Sequence, residues 1–475
     1  MGFFDLTEWL LILSIGYFIG MILYVSKKLP KVIKTSEAFF EFGEFRDEKE
    51  ILKKFEKTLT ATNASFTTAF LGLFYMGMLN VYYALLFAIG YLLSFVVFPK
   101  YYLTKVYAYS KEGKYFPELL GEKSGSNLIR YFTSLAIVIS LLLFLFTEIY
   151  GFSVNFLSAE VSFSSMNAFM IGGVILILLA WYVIIGGYQS VVITDHIQLG
   201  MITIGSLGLL VLVFLSHPLT YFSITNIGQI FSQDLETINL YLFVPAMLLG
   251  LLFSQLVYFD TWQRLVLFSR VIQKHNIEDS KIVKLISRKY YSSAINLLWL
   301  YLIPIIFAMI SRSLGLSSFA ELLLFFKEQS LLLGILVVVG TLTFVSALLS
   351  TSDTYLLSIL QVFYNDFKRS NLPFYRRLVF ILVLIIAPFI LLQVNLGTWL
   401  AFLFYSMSGF IGPIILVTLG FKLNKYVFWL TMALSIPFIV LIYFYQYPFS
   451  AQYIDVANAI VVVFSISLNY LFRSK

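Results

Sequence analysis

The sequence predicts an all-α polytopic membrane protein, about thirteen transmembrane helices in a single membrane domain. Three observations carry this prediction. Of its 475 residues 60% are hydrophobic and 12% charged, and the mean hydropathy is +0.90, which leaves too little polar surface to cover a soluble globule. Apolar runs of about 20 residues, the length that crosses roughly 30 Å of hydrocarbon, recur from end to end and leave no room for a soluble domain of ordinary size. All of the 32 Lys and Arg except Arg312 and Lys327 fall in alternate inter-span segments and the C-terminal tail. The excess of cations on the cytoplasmic side of membrane proteins then places the N-terminus outside and the C-terminus in the cytoplasm.

The first span, 6–25, has no basic segment ahead of it and no small-residue cleavage site, which marks a retained helix and not a signal peptide. It opens a segment, 1–58, whose remainder is cytoplasmic. There KKLPKVIK and then FRDEKEILKKFEK mix both signs, as an interfacial or solvated helix does. The second span, 59–78, begins with TLTATNASFTTAFLG, which crowds Thr58, Thr60, Thr62, Asn63, Ser65, Thr67 and Thr68 together. That density disfavours lipid on any face, so this helix is buried or broken. Apolar runs follow at 81–99, 130–150, 164–186 and 190–216. The seventh span, 239–259, contains Pro245, Gly250, Ser254 and Gln255, the interruptions of a discontinuous helix. Spans at 290–311, 331–361, 378–394 and 397–421 come next, and 427–446 and 453–472 complete the series. The two polar, interrupted spans lie five helices apart. Five is odd, so 59–216 and 239–421 read as two five-helix repeats of opposite topology, with 427–475 adding two C-terminal helices.

Several chemistries are excluded. Cysteine is absent, so there is no disulfide, thiolate metal site or cysteine nucleophile. His196, His217 and His275 are scattered without ligand spacing, so no transition-metal site is expected. The formal charge of +7 and the pI near 9.1 describe a cytoplasmic surface facing anionic lipid, and nucleic acid is not an expected partner. No outer loop is long enough to carry a polymerase's catalytic residues, so an enzyme is not expected.

The ninth span holds SALLSTSDTYLL at 346–357, where Ala347, Ser350 and Thr351 stand at i, i+3 and i+4 and share one helix face. Two hydroxyls aimed the same way, with carbonyls freed by unwinding of TATNASFTT in the second span, suit Na⁺. The alternative is that these hydroxyls bond back to the preceding turn or join helices. Asp353, late in a long helix, is expected at headgroup level with a structural role.

The stretch FVSALLSTSDTYLLSILQVFYNDF resembles the eighth core helix of the sodium/solute symporter family. WYVIIGGYQSVVITDHIQLGMI is similar to the family's signature, in which a GG turn leads into a helix carrying an aspartate and a glutamine. KYFPELLGEKSG and DTWQRLVLFS resemble the segments after the third and sixth core helices, although Asp260 and Arg264 stand closer together than in the family. The matches span about 60–365 in the family's order. The resemblance implies a LeuT-like 5+5 inverted-repeat core with two discontinuous helices, in the cell (inner) membrane. It also implies a sodium-coupled symporter that imports a small solute by alternating access, with Na⁺ as coupling ion and no organic cofactor.

Carried over residue by residue, it implies a sodium site of the carbonyls of Ala64, Thr67 and Ala347 and the hydroxyls of Ser350 and Thr351. Asp195 falls on the ion's exit path, or else is an interfacial carboxylate beside the GG turn. Phe66 stands where some relatives carry a polar or acidic residue, which favours one sodium per cycle. Asn63, Ser65, Thr68, Glu148, Gln255 and Tyr258 are the candidates to face the solute, and each is equally a candidate for helix packing. The solute itself is not fixed, since the family takes sugars, amino acids, carboxylates, vitamins and inorganic anions. The rival readings are a transport-inactive or sensor-like member of the same fold and a polysaccharide-lipid flippase. A flippase has no reason to carry the GG-to-TDHIQ segment or the Ala347, Ser350, Thr351 face.

Overall fold

The structure, a computed structural model, describes the chain apart from residues 1–5, 30–32, 34, 42–46, 157–164, 217–223, 238–239, 276, 320, 323–324, 326–330, 368–370, 387, 389–406, 445–450 and 474–475. The apolar runs fold as helices because hydrocarbon offers backbone N–H and C=O groups no partner outside the segment. Among the described residues six helices are long and apolar enough to cross a membrane: Val81–Lys111, Asn127–Ser153, Gly172–Val211, Val244–Lys274, Asp279–Ser313 and Val338–Asp366. The chain is a multi-pass, helical membrane protein. The predicted spans 378–394, 397–421 and 427–446 fall partly outside the described residues.

In chain order the main helices are α1 (Leu6–Lys28), α2 (Glu48–Asn63), α3 (Gly72–Leu79), α4 (Val81–Val97), α5 (Asn127–Tyr150), α6 (Ser165–Ser216), α7 (Ile224–Thr237) and α8 (Leu240–Leu251). They continue as α9 (Ser254–Val257), α10 (Phe259–Lys274), α11 (Asp279–Ser313), α12 (Leu331–Phe367), α13 (Leu372–Ile386), α14 (Ile411–Thr418), α15 (Lys425–Phe444) and α16 (Ala451–Leu471).

Helix α2 joins the charged segment to the polar span. Asp47 caps it by accepting the Glu50 N–H at 2.8 Å, and Glu48 and Glu50 in the first turn favour the positive end of its dipole. Ile51, Leu52, Phe55 and Leu59 bury its apolar face. The sequence crowds hydroxyls and an amide at its end, and these compete for the backbone. Thr62 donates back to the Thr58 carbonyl at 2.9 Å, and Asn63 Nδ2 donates to the Leu59 carbonyl at 2.7 Å. Ala64 (φ −94°, ψ 49°) and Ser65 (φ −65°, ψ 153°) then leave the helix. Ser65 restarts it by accepting the Ala69 N–H on its hydroxyl at 2.8 Å. The first turn after the break is the wider π type, Phe66–Leu71, with the Phe70 N–H bonded to the Ser65 carbonyl at 3.2 Å.

The seventh span is interrupted as well. Helix α8, with Pro245 inside it, stops at Leu251, and the short α9 runs into Tyr258, which is extended (φ −73°, ψ 122°). Ser254 donates to the Leu251 carbonyl at 2.6 Å, and the Trp262 indole donates to the Leu256 carbonyl at 2.8 Å. Both spans singled out by polar interruption are therefore discontinuous.

Helix α6 runs through a sharp kink at the GG pair, where Gly187 has φ +51°. A Cβ there would lie 2.3 Å from the Phe39 carbonyl oxygen, so glycine is required on two counts. Past the kink, α6 packs along α12, which also runs beside α5 and across the break in α2. Phe66, Phe70, Phe319 and Phe344 pack over one side of that break, with ring centroids of successive neighbours 4.7–5.4 Å apart. Arg312 makes a bidentate pair with Asp234 of α7 at 2.7 and 2.8 Å. Asp234 also accepts the Val81 N–H at 2.7 Å, which ties α7 and α11 to the start of α4.

Candidate functional site

The break in α2 brings the polar residues of four helices together. On α12, the Thr351 hydroxyl proton lies between two acceptors, the Thr62 carbonyl at 3.3 Å and the Ala347 carbonyl at 3.1 Å. Ser350 donates to Asp195 Oδ1 of α6 at 2.9 Å. A hydroxyl that donates one hydrogen bond keeps lone pairs free to bind a cation. Ala64 and Ala347 line one small cavity of about 20 Å³ beside the break. Of the expected ion set, Ala64 and Ala347 share this cavity, whereas Thr351 reaches the Thr62 and Ala347 carbonyls and Ser350 reaches Asp195 beside it. Thr67 stands apart. Its N–H donates to Glu148 Oε2 at 3.0 Å and its hydroxyl to the Glu148 carbonyl at 3.1 Å. Its own carbonyl accepts the Gly72 N–H within the helix.

Asp195 is fully buried. Asp353, expected at headgroup level with a structural role, is also 0% exposed: it stands on the Ser350 side of α12, one turn further on. The Oδ2 atoms of both aspartates meet no donor in hydrogen-bonding geometry among the described residues. The i, i+3 spacing of Ser350 and Asp353 is the signal that could have placed Asp353 beside Asp195.

On the other side of the break lies a second, narrow cavity of about 60 Å³. Three of the six expected solute-facing residues, Asn63, Ser65 and Tyr258, are on its wall. Glu148 and Gln255 are buried elsewhere: Glu148 clamps Thr67, and Gln255 Oε1 accepts the Thr261 hydroxyl at 3.1 Å. The Thr68 side chain lies outside the described residues. Tyrosines from several helices close the cavity; of these the sequence singled out Tyr258, and not Tyr91, Tyr301 or Tyr355, among its 31 Tyr. Tyr91 donates to Asn63 Oδ1 at 2.5 Å and Tyr301 to the Asn63 carbonyl at 2.7 Å, so both hold the broken end of α2.

The two discontinuous helices are bonded directly. Arg264 of α10, fully buried, donates through Nη2 to the Thr62 hydroxyl at 3.0 Å and approaches Asp260 Oδ2 at 3.5 Å. Among the described residues Arg264 is the one buried basic side chain, whereas Glu148, Asp195, Asp260 and Asp353 are all buried around the break. Charge uncompensated inside a membrane protein is costly, so these buried acids call for cations or for protons.

This architecture defines a class: a helical membrane protein with a LeuT-type fold, built around two broken helices. The chain is similar in structure to a Na⁺-coupled sialic acid symporter in a substrate-bound outward-open state, with a TM-score of 0.67 and 17% identity over 99% of this chain and 98% of that one. It is also similar to Mhp1, a nucleobase-cation-symport-1 family transporter in a closed conformation with bromovinylhydantoin bound, with a TM-score of 0.51 and 11% identity over 88% of this chain and 92% of that one. No family model and no curated protein sequence matches the chain. The likeness to a sodium-coupled symporter drawn from sequence segments holds at the level of the fold, over the full length.

Proposed function

We propose that the protein is a sodium-coupled secondary transporter that imports a small solute by alternating access, and not an enzyme. Its N-terminus is outside and its C-terminus in the cytoplasm, with inverted repeats at 59–216 and 239–421 of the cell membrane protein. Na⁺ binds among the Ala64 and Ala347 carbonyls and the Ser350 and Thr351 hydroxyls and leaves toward the cytoplasm past Asp195. The observation that carries the reading is the meeting of the α2 break with one face of α12: Ala64 and Ala347 share a cavity and Thr351 bonds to Thr62. Carbonyls freed at a helix break, beside two hydroxyls and near a buried carboxylate, suit a small hard cation. The ion ties α2 to α12 and so favours the conformation that accepts solute. Coupling needs only that both ligands prefer the same state, typically by about 1–3 kcal/mol.

The test is thermal unfolding of the purified protein in detergent, in NaCl and in KCl, for the wild type and for Ser350→Ala/Thr351→Ala. A ligand at one hundred times its Kd stabilises by about 2.7 kcal/mol. Sodium is expected to raise the melting temperature of the wild type selectively, and the double variant to lose that response. Equal effects of sodium and potassium on the wild type would remove the ion site from the account.

A further inference from the structure

The cavity beside Asn63 is walled by a connected set of rings. Tyr301, Tyr91, Tyr258, Phe144 and Tyr355 follow one another with centroids 6.1, 6.2, 6.3 and 5.4 Å apart. They belong to α11, α4, the α9–α10 junction, α5 and α12, so five parts of the chain each supply a ring. Asp260 is the one charged group on the wall among the described residues, and 9% of its side chain stays accessible. No Lys, Arg or His lines the cavity among those residues.

The chemistry of this wall selects by charge. An anionic solute would meet a carboxylate and ring faces, all of which repel it, with no cation to pair. A sugar needs many free donors and acceptors, yet the Tyr91 and Tyr301 hydroxyls, Asn63 and Ser65 already bond to one another or to the backbone. A positively charged nitrogen is attracted both by the faces of aromatic rings and by Asp260. Arg264 pairs with that carboxylate at 3.5 Å but does not line the cavity, so an ammonium head would share Asp260 with it and draw the rest of its attraction from the rings.

We infer that the solute is an organic ammonium ion, a primary amine or a quaternary ammonium, whose charged head sits among these rings against Asp260. The inference rests on the transport reading above and narrows its solute class.

The experiment uses the full-length protein in detergent at fixed NaCl, with choline, tyramine, lactate and glucose as probes. It also uses 3,3-dimethylbutan-1-ol, which has the shape of choline without its charge. Choline or tyramine is expected to raise the melting temperature saturably. The uncharged analogue is expected to bind about thirtyfold more weakly than choline, the size of a desolvated cation–π contact. Asp260→Asn should weaken binding. Should that variant not fold, Tyr355→Phe should keep the response and Tyr355→Leu should reduce it. A response to lactate or glucose with none to the amines overturns the inference, as does equal binding of choline and its uncharged analogue. Sodium stabilisation with no response to either amine overturns it too, and leaves sodium-coupled transport standing. Amine binding that is the same in NaCl and KCl supports the ammonium site and overturns the sodium coupling.

Discussion

Replacing Arg264 with methionine tests the charge balance of the interior. The guanidinium is fully buried and is the one buried base among the described residues, facing four buried acids. Its removal leaves Asp260 without a cation and takes a donor from the Thr62 hydroxyl. Breaking a buried ion pair from one side costs about 3–5 kcal/mol, and a lost hydrogen bond adds about 1 kcal/mol. The 3.5 Å separation and the 9% accessibility of the Asp260 side chain place the pair toward the low end, so about 4 kcal/mol is expected for Arg264→Met. Asp260→Asn keeps the shape and leaves Arg264 among the remaining acids, and is expected to cost about 1 kcal/mol. The double variant should recover about 1–3 kcal/mol relative to Arg264→Met, because it no longer buries a lone carboxylate at position 260. The assay is thermal unfolding of all three variants and the wild type in one detergent. At about 2 °C per kcal/mol for a large domain, Arg264→Met should melt roughly 8 °C lower. If Asp260→Asn proves as damaging as Arg264→Met, the interior does not carry an acidic surplus and this reasoning fails.

Glu148→Ala removes the acceptor of the Thr67 N–H just past the helix break, and a loss of about 1–3 kcal/mol in unfolding stability is expected; wild-type stability would show that the clamp is dispensable. Gly187→Ala forces a side chain onto a residue with φ +51° and onto the Phe39 carbonyl, so the yield of folded protein in size-exclusion chromatography should fall sharply. An Ala variant that elutes and melts like the wild type would contradict the geometry of that kink. Asp234→Ala unpairs Arg312 and the Val81 N–H together, which should cost about 2–3 kcal/mol. Arg312→Lys keeps the charge but not the two-pronged bond, so its melting temperature should fall between those of the wild type and Asp234→Ala.

The parts of the fold legible in the sequence are those that hydrocarbon dictates. Apolar length sets a span, and polar crowding inside a span is tolerated only where the helix is buried or broken. TATNAS could therefore be read as a break, because Thr62, Asn63 and Ser65 divert backbone hydrogen bonds through their own side chains. The Ala347, Ser350, Thr351 face was legible from helical spacing alone. What depends on the neighbour was not. Asp353 was read by its depth along one helix, yet its burial comes from α6 lying alongside α12. Thr67 was carried over as an ion ligand through its carbonyl, and spacing alone could not show that this carbonyl also accepts the Gly72 N–H or that its side chain turns to Glu148. Glu148, a candidate to face the solute, became the partner of that turn. Tyr258 was picked out by its place at the interrupted span, but nothing in local sequence distinguishes Tyr91, Tyr301 and Tyr355 on the cavity wall from the tyrosines that face lipid.

A single break in one helix serves both proposed ligands, which is how binding of one can be felt by the other. On one side of it Ala64 shares a cavity with Ala347, and on the other Asn63 and Ser65 share a cavity with the tyrosines and Asp260. The residues between are not free to move independently. Asn63 is held through its side chain by Tyr91 and through its carbonyl by Tyr301, Thr62 is bonded by Thr351 from α12 and by Arg264 from α10, and Ser65 begins the next turn. A cation that fixes Ala64 against α12 therefore also fixes Asn63 and Ser65 against the solute cavity, without any longer chain of contacts. Arg264 extends the same tie to the second broken helix, since it bonds Thr62 while standing against Asp260. In the proposed cycle, releasing the ion loosens both walls at once, and the coupling energy resides in the few hydrogen bonds around residues 62–65, where the predicted effects of Arg264→Met and Ser350→Ala/Thr351→Ala should interact rather than add.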